Sequence, residues 1–219
     1  MIIHGKTLRR WCVAVALFLA VGAASGAGAN PTILVLGDSL SAEYGLPRDT
    51  GWVKLLADRL AAGGAGAAQY SVVNASISGE TTSGGRTRLP ELLAQHRPAI
   101  VILELGGNDG LRGLPLSEMR ANLRAMIDAS KAAGARVLLV GVRIPPNYGR
   151  DYAEAFYKVF VSLARETKVA LAPFLLDGFA DAPEYFQPDR IHPNGRAQRR
   201  MLDNVWPYLQ PLLAPRARG

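Results

Sequence analysis

Residues 31–40 read Pro-Thr-Ile-Leu-Val-Leu-Gly-Asp-Ser-Leu, and this stretch decides the fold. Thr32 to Leu36 is a short run of β-branched and aliphatic residues without apolar–polar alternation. That is the pattern of a strand covered on both faces, as in a parallel sheet. Gly37-Asp38-Ser39-Leu40 ends the run with turn-forming residues. Four more such runs follow: Tyr70 to Asn74, Ala99 to Leu105, Arg136 to Val142 and Val169 to Ala172. Between them, apolar periodicity predicts helices over Trp52 to Ala62, Gly84 to Gln95, Leu116 to Ala133 and Asp151 to Thr167. A last helix is predicted from about Pro193 to Leu212, because proline suits a first helical turn. Gly63-Gly64 and Gly134 stand where helices stop, and Ala61 to Ala68 reads as a Gly/Ala-rich surface loop. Strand–helix alternation without an internal repeat or linker implies one α/β sandwich with right-handed crossovers.

The N-terminal stretch stands apart from that domain. Lys6, Arg9 and Arg10 precede the almost wholly apolar Trp11 to Ala24, and Ala27-Gly28-Ala29 has the small residues of a cleavage site. The apolar run is shorter than the roughly 20 residues needed to span a bilayer. Residues 1–29 are therefore expected to be a signal peptide, with the mature domain over 30–219 and a periplasmic or secreted location. Cys12 lies at the start of the apolar run, where a lipobox cysteine would lie at its end. Its loss with the signal leaves a mature chain with no disulfide or thiol nucleophile.

The whole chain carries 25 basic and 18 acidic residues, net +7. Removing residues 1–29 takes three basic residues and no acidic one, leaving 22 against 18, net +4. Arg196, Arg199 and Arg200, with the Arg-rich tail beyond, read as a solvated helix face; peripheral contact with an anionic lipid surface is the sharper alternative. No aromatic residues are interleaved with these charges, so nucleic acid is not expected as a partner.

In an open parallel sheet, ligands bind beyond the carboxyl ends of the strands at the topological switch point. If the strand order is the flavodoxin-like 2-1-3-4-5, three loops converge there: Gly37 to Leu40, Ile77 to Glu80 and Gly106 to Asp109. Ser39 in the first can point a hydroxyl into the crevice, although Gly-Asp-Ser is also ordinary turn chemistry. A serine needs a base, and a base needs a partner that fixes its tautomer. Asp189 and His192, three residues apart before the last helix, can supply both, or can simply be a helix N-terminus with an incidental histidine. Of the other histidines, His4 leaves with the signal and His96 falls at the amino end of the sheet. Gly79 offers an unobstructed backbone N–H, and Asn108 a side-chain amide, for a developing oxyanion.

These residues resemble the SGNH hydrolases, the superfamily that contains the GDSL esterases and lipases. The match extends to Gly37 to Ala42, Val73 to Thr81, Leu105 to Gly113 (LGGNDGLRG), Asn147 to Arg150 and Ile191-His192-Pro193. Within the superfamily it is nearest the bacterial periplasmic branch of thioesterases, arylesterases and lysophospholipases. The resemblance implies a flavodoxin-like three-layer α/β/α sandwich around a five-stranded parallel sheet. It also implies Ser39 as nucleophile, His192 as base, Asp189 as orienting acid, and an oxyanion hole of Ser39 N–H, Gly79 N–H and the Asn108 amide. Leu111, Ile144 and Pro145 match positions that border the family's acyl groove, though packing would explain them equally. A monomer acting on small-molecule or lipid acyl esters is implied, with neither metal nor organic cofactor. Carbohydrate O-deacetylation is the alternative within the same chemistry, and a binding module without catalysis is the alternative outside it. Glu43 departs from the family's usual small residue, so it either disfavours anionic substrates or faces solvent.

Overall fold

The computed structural model describes Met1 and residues 30–63 and 70–214. The expected signal peptide, most of the Ala61 to Ala68 loop and the Arg-rich tail beyond 214 lie outside the described residues.

Strand β1 (Thr32–Gly37) is the hub. It pairs in parallel with β2 (Ser71–Asn74) on one side and β3 (Ile100–Glu104) on the other. Beyond β3 come β4 (Arg136–Val140) and β5 (Ala170–Ala172), giving the order β2-β1-β3-β4-β5. Successive side chains of β1 go to opposite faces, as the pleat requires. Leu34 and Leu36 join a core built with α2 (Thr82–His96), α4 (Leu116–Ala132) and α5 (Arg150–Thr167). Ile33 and Val35 join a second core with α1 (Trp52–Ala61) and α6 (Gln198–Leu213). Both faces of the strand are thus fully buried, which is why its sequence shows no alternation. This is the expected three-layer α/β/α sandwich.

The chain leaves β1 for β2 on one side and returns past it to β3 on the other. Loops from β1, β2 and β3 therefore meet above the carboxyl ends of these strands. The ladder even continues past the strands: Ala75 N–H donates to Val35 O (2.8 Å) and Ile77 N–H to Gly37 O (3.1 Å).

Two departures from the sequence reading bear on the site. The last helix begins at Gln198 rather than near Pro193, because Pro193 pairs with Phe186 in an isolated antiparallel bridge. Asn194 then forms the turn that leads into the helix, its Oδ1 accepting the Arg196 N–H (2.9 Å). The short helix α3 (Gly107–Leu111) was not expected, since its sequence Gly-Asn-Asp-Gly-Leu has little helix propensity. Tertiary contacts hold it instead. A β-carbon at Gly110 would stand 2.6 Å from Phe156, which glycine avoids, and one at Gly107 would be tight, 3.2 Å from Asp38 Oδ2.

Candidate active site

Ser39 stands in the turn that follows β1. The turn is closed by the Asp38 carbonyl, which accepts the N–H of Ala42 (2.9 Å), and by Asp38 Oδ1, which accepts that of Leu40 (3.0 Å). Asn74 Nδ2 ties it to β2 by donating to Ser41 O (2.8 Å). From the far end of the chain, His192 Nε2 reaches Ser39 Oγ at 3.0 Å, and His192 Nδ1 meets Asp189 Oδ2 at 2.7 Å.

The local backbone explains how Asp189 and His192 face each other. Arg190 adopts φ +59°, turning the chain between them. Asp189 Oδ1 accepts the N–H of Ile191 (2.9 Å) and of His192 (3.0 Å), which leaves Oδ2 for the imidazole. Desolvation pushes the Asp189 carboxyl up, but these two amides, the ring hydrogen bond and the imidazolium charge outweigh it and hold the pKa at about 2. The segment is closed as a narrow loop by Gln187 N–H to His192 O (2.8 Å). Gln187 Nε2 donates to Tyr44 O (2.7 Å) and Pro193 O (3.1 Å), joining the histidine segment to the serine loop. The Tyr44 ring lies over the imidazole, with centroids 4.3 Å apart.

The two candidate oxyanion loops are tied to each other. Gly79 has φ +80°, a conformation that suits glycine, and Arg112 donates to its carbonyl (2.9 Å). Asp109 accepts the Thr82 N–H (2.8 Å) and hydroxyl (2.5 Å), so α3 is tied to the start of α2. Asn108 Nδ2 donates to Asp38 Oδ2 and to Glu80 O, each at 3.1 Å. Both of its N–H bonds thus have protein acceptors, and an oxyanion would have to share one of them.

Of the other residues singled out from sequence, Leu111 is half-buried and packs on the core, and Pro145 is exposed. Ile144 is 6% exposed and part of the core, so its apolar surface is spent on packing rather than left open to a ligand. His96 ends α2 at the amino edge of the sheet, away from Ser39. Glu43 is occupied: its carboxylate accepts the N–H of Gly51 (2.6 Å) and of Asp49 (2.9 Å), closing the loop that leads into α1. These two amides hold the carboxylate against its own loop.

Asp38, Ser41 and Glu104 form a buried polar group that sequence reading passed over. Glu104 is an acid inside Val101-Ile102-Leu103-Glu104-Leu105, and that break in an apolar strand is the one signal that marks it.

The sequence model of the family described as GDSL-like Lipase/Acylhydrolase matches residues 35–200. Esterase TesA of Pseudomonas aeruginosa is 50% identical over 202 residues, covering 92% of this chain and 96% of its own. The thioesterase 1/protease 1/lysophospholipase L1 of Escherichia coli is 46% identical over 187 residues, covering 85% of this chain and 87% of its own. Among solved structures, the psychrotrophic esterase EstA from Pseudoalteromonas sp., inhibited by monoethylphosphonate, superposes with a TM-score of 0.78 at 42% identity. That match covers 84% of this chain and 99% of the other. A family match running from inside β1 into α6, past both Ser39 and His192, together with these identities, means that the chain belongs to the GDSL-like lipase/acylhydrolase family.

Proposed function

We propose that this ester hydrolase works by two-step acyl transfer from Ser39 to water, and that its substrates are acyl esters and thioesters, lysophospholipids among them. The observation that carries the proposal is the continuous hydrogen-bond chain Asp189–His192–Ser39, drawn from segments 153 residues apart. Ser39 Oγ attacks the carbonyl carbon while His192 Nε2 takes its proton. The tetrahedral intermediate collapses and expels the alcohol or thiol, which receives that proton. Water then attacks the acyl-serine, giving its proton to the same nitrogen; the carboxylic acid departs and the proton returns to Ser39. Asp189 keeps the imidazole's Nδ1–H pointed away from the serine throughout. The substrate classes are those that name the relatives, an esterase and a thioesterase/lysophospholipase.

The N-terminal sequence supports export, with cleavage after Ala29 and a mature chain working in the periplasm or outside the cell. Acyl esters of lipids are the substrates a cell envelope offers, and peripheral contact with lipid through Arg196, Arg199 and Arg200 would suit them.

Turnover of p-nitrophenyl esters from acetate to palmitate by the mature protein tests this reading. Hydrolysis with an optimum above acetate is expected. A folded protein inert toward the whole series would overturn it, and an optimum at acetate would turn attention to acetylated carbohydrates. The oxyanion hole is tested separately. Asn108→Ala is expected to lower kcat by about 10²–10³-fold with KM little changed, because the donor matters most to the developing negative charge. Steady-state kinetics on the best ester of the series decide it, and an unchanged kcat would remove Asn108 from the hole.

A further inference from the structure

Beneath the serine loop lies a buried acid that the acyl-transfer scheme does not use. Glu104, the last residue of β3, is 0% exposed. Its Oε2 accepts the Ser41 hydroxyl (2.7 Å) and, at longer range, the Asp38 N–H (3.4 Å). Ser41 Oγ in turn accepts from Trp52 Nε1 (3.2 Å), while Glu104 Oε1 has no partner among the described residues. The neighbouring Gly37 is what allows the approach. A β-carbon there would stand 2.7 Å from Glu104 Oε2 and 2.8 Å from Ser41 Oγ.

We propose that Glu104 is a positioning residue for the reaction: its carboxyl group seats the Asp38–Ser41 turn that carries Ser39, and through Asp38 it aims the Asn108 amide. The proposal rests on the Ser39 reading above. Two carboxyl groups share this buried space, and their surroundings differ. Burial, reinforced by the charge of Asp38, raises Glu104 well above the usual carboxyl range and so favours its uncharged form. Burial also raises Asp38, to about 6. The Leu40 amide, the Asn108 amide and the His192 imidazolium pull it back, and Asp109 pushes with burial. The Leu40 and Asn108 amides favour the charged form of Asp38, so negative charge in the pair is drawn toward the member that touches Asn108. An uncharged Glu104 accepts hydrogen bonds from the turn without adding a second negative charge beside the place where the oxyanion forms.

The test compares Glu104→Gln, Glu104→Leu and Asp38→Asn in the mature protein, with active sites counted by an organophosphonate and kcat and KM followed from pH 5 to 9. Glutamine keeps an acceptor oxygen and no charge, so its kcat is expected within about tenfold of wild type, with a pH profile that superimposes on it. Leucine removes the acceptor, and a slack turn is expected to lower kcat about 10–100-fold per titrated site with KM nearly constant. Asp38→Asn keeps Oδ1 for Leu40 and turns an NH₂ toward the Asn108 NH₂; two donors repel, and a similar loss of kcat is expected. Glu104→Leu or Asp38→Asn with wild-type kcat per titrated site would overturn the proposal, as would a Gln variant as impaired as Leu. If Glu104→Leu does not fold, Asp38→Asn and the Gln profile still decide. A Ser39→Ala enzyme that kept its activity would instead sink the reading beneath it, which is a distinguishable outcome.

Discussion

Ser39→Ala is expected to lower kcat on acyl esters by about 10⁵–10⁶-fold, the scale seen when the nucleophile of a serine triad is removed. The hydroxyl adds nothing to packing that alanine would lose: its hydrogen bond is to His192 Nε2, and Ser39 is only half-buried in its turn. The turn is closed by Asp38 and Asn74, which the substitution leaves alone. The variant should therefore match wild type in thermal unfolding while failing to form a covalent adduct with an organophosphonate. Intact-protein mass spectrometry reads the adduct and ester hydrolysis reads the rate. A variant within tenfold of wild type would move the nucleophile elsewhere.

The second large effect is expected from Asp189→Asn, on the order of 10³–10⁴-fold in kcat with KM little altered. Asparagine Oδ1 can still accept the N–H groups of Ile191 and His192, so the loop should keep its shape. Its NH₂ would then face His192 Nδ1, which must become an acceptor. The ring proton moves to Nε2 and points at Ser39 Oγ, the one place where a base needs a lone pair. The pH dependence separates the two side chains. Asp189, held at about 2, stays ionised well below the point where a histidine protonates. Loss of wild-type activity on acidification should therefore follow a histidine-like group. Any stability that Asp189 lends the fold is complete above the ordinary aspartate range and fades only as pH falls toward 2. A wild-type profile that stays flat down to pH 4 would contradict this assignment.

Much of this was legible in the chain because parallel strands report their own burial. Thr32 to Leu36 shows no alternation, and both of its faces are covered; the loops after β1, β2 and β3 then had to converge. The hydrogen-bond chain among Ser39, His192 and Asp189 falls on residues the sequence singled out. What stayed hidden depends on partners distant in sequence. Gly107 to Leu111 is helical because Phe156 and Asp38 press against it, not because glycine favours helices. Pro193 looked like a helix start, but its place is fixed by Phe186 seven residues earlier. Glu104 carried a hint in its apolar surroundings, yet nothing local says that its acceptors serve residues 38 and 41. From sequence Glu43 is either a filter against anionic substrates or a solvent-facing residue; its carboxylate is taken by two backbone amides downstream.

The separation between Ser39 and His192 also orders events during synthesis. All five strands are complete at Ala172, and the serine turn has been made long before. The ribosome has still to add the segment with Asp189 and His192, and then α6, whose packing on α1 closes that side of the sheet. A nascent chain, or one cut short before residue 192, therefore holds Ser39 without the histidine that meets it. On the roles proposed for Ser39 and His192, hydrolytic capacity arrives only with the final stretch of polypeptide.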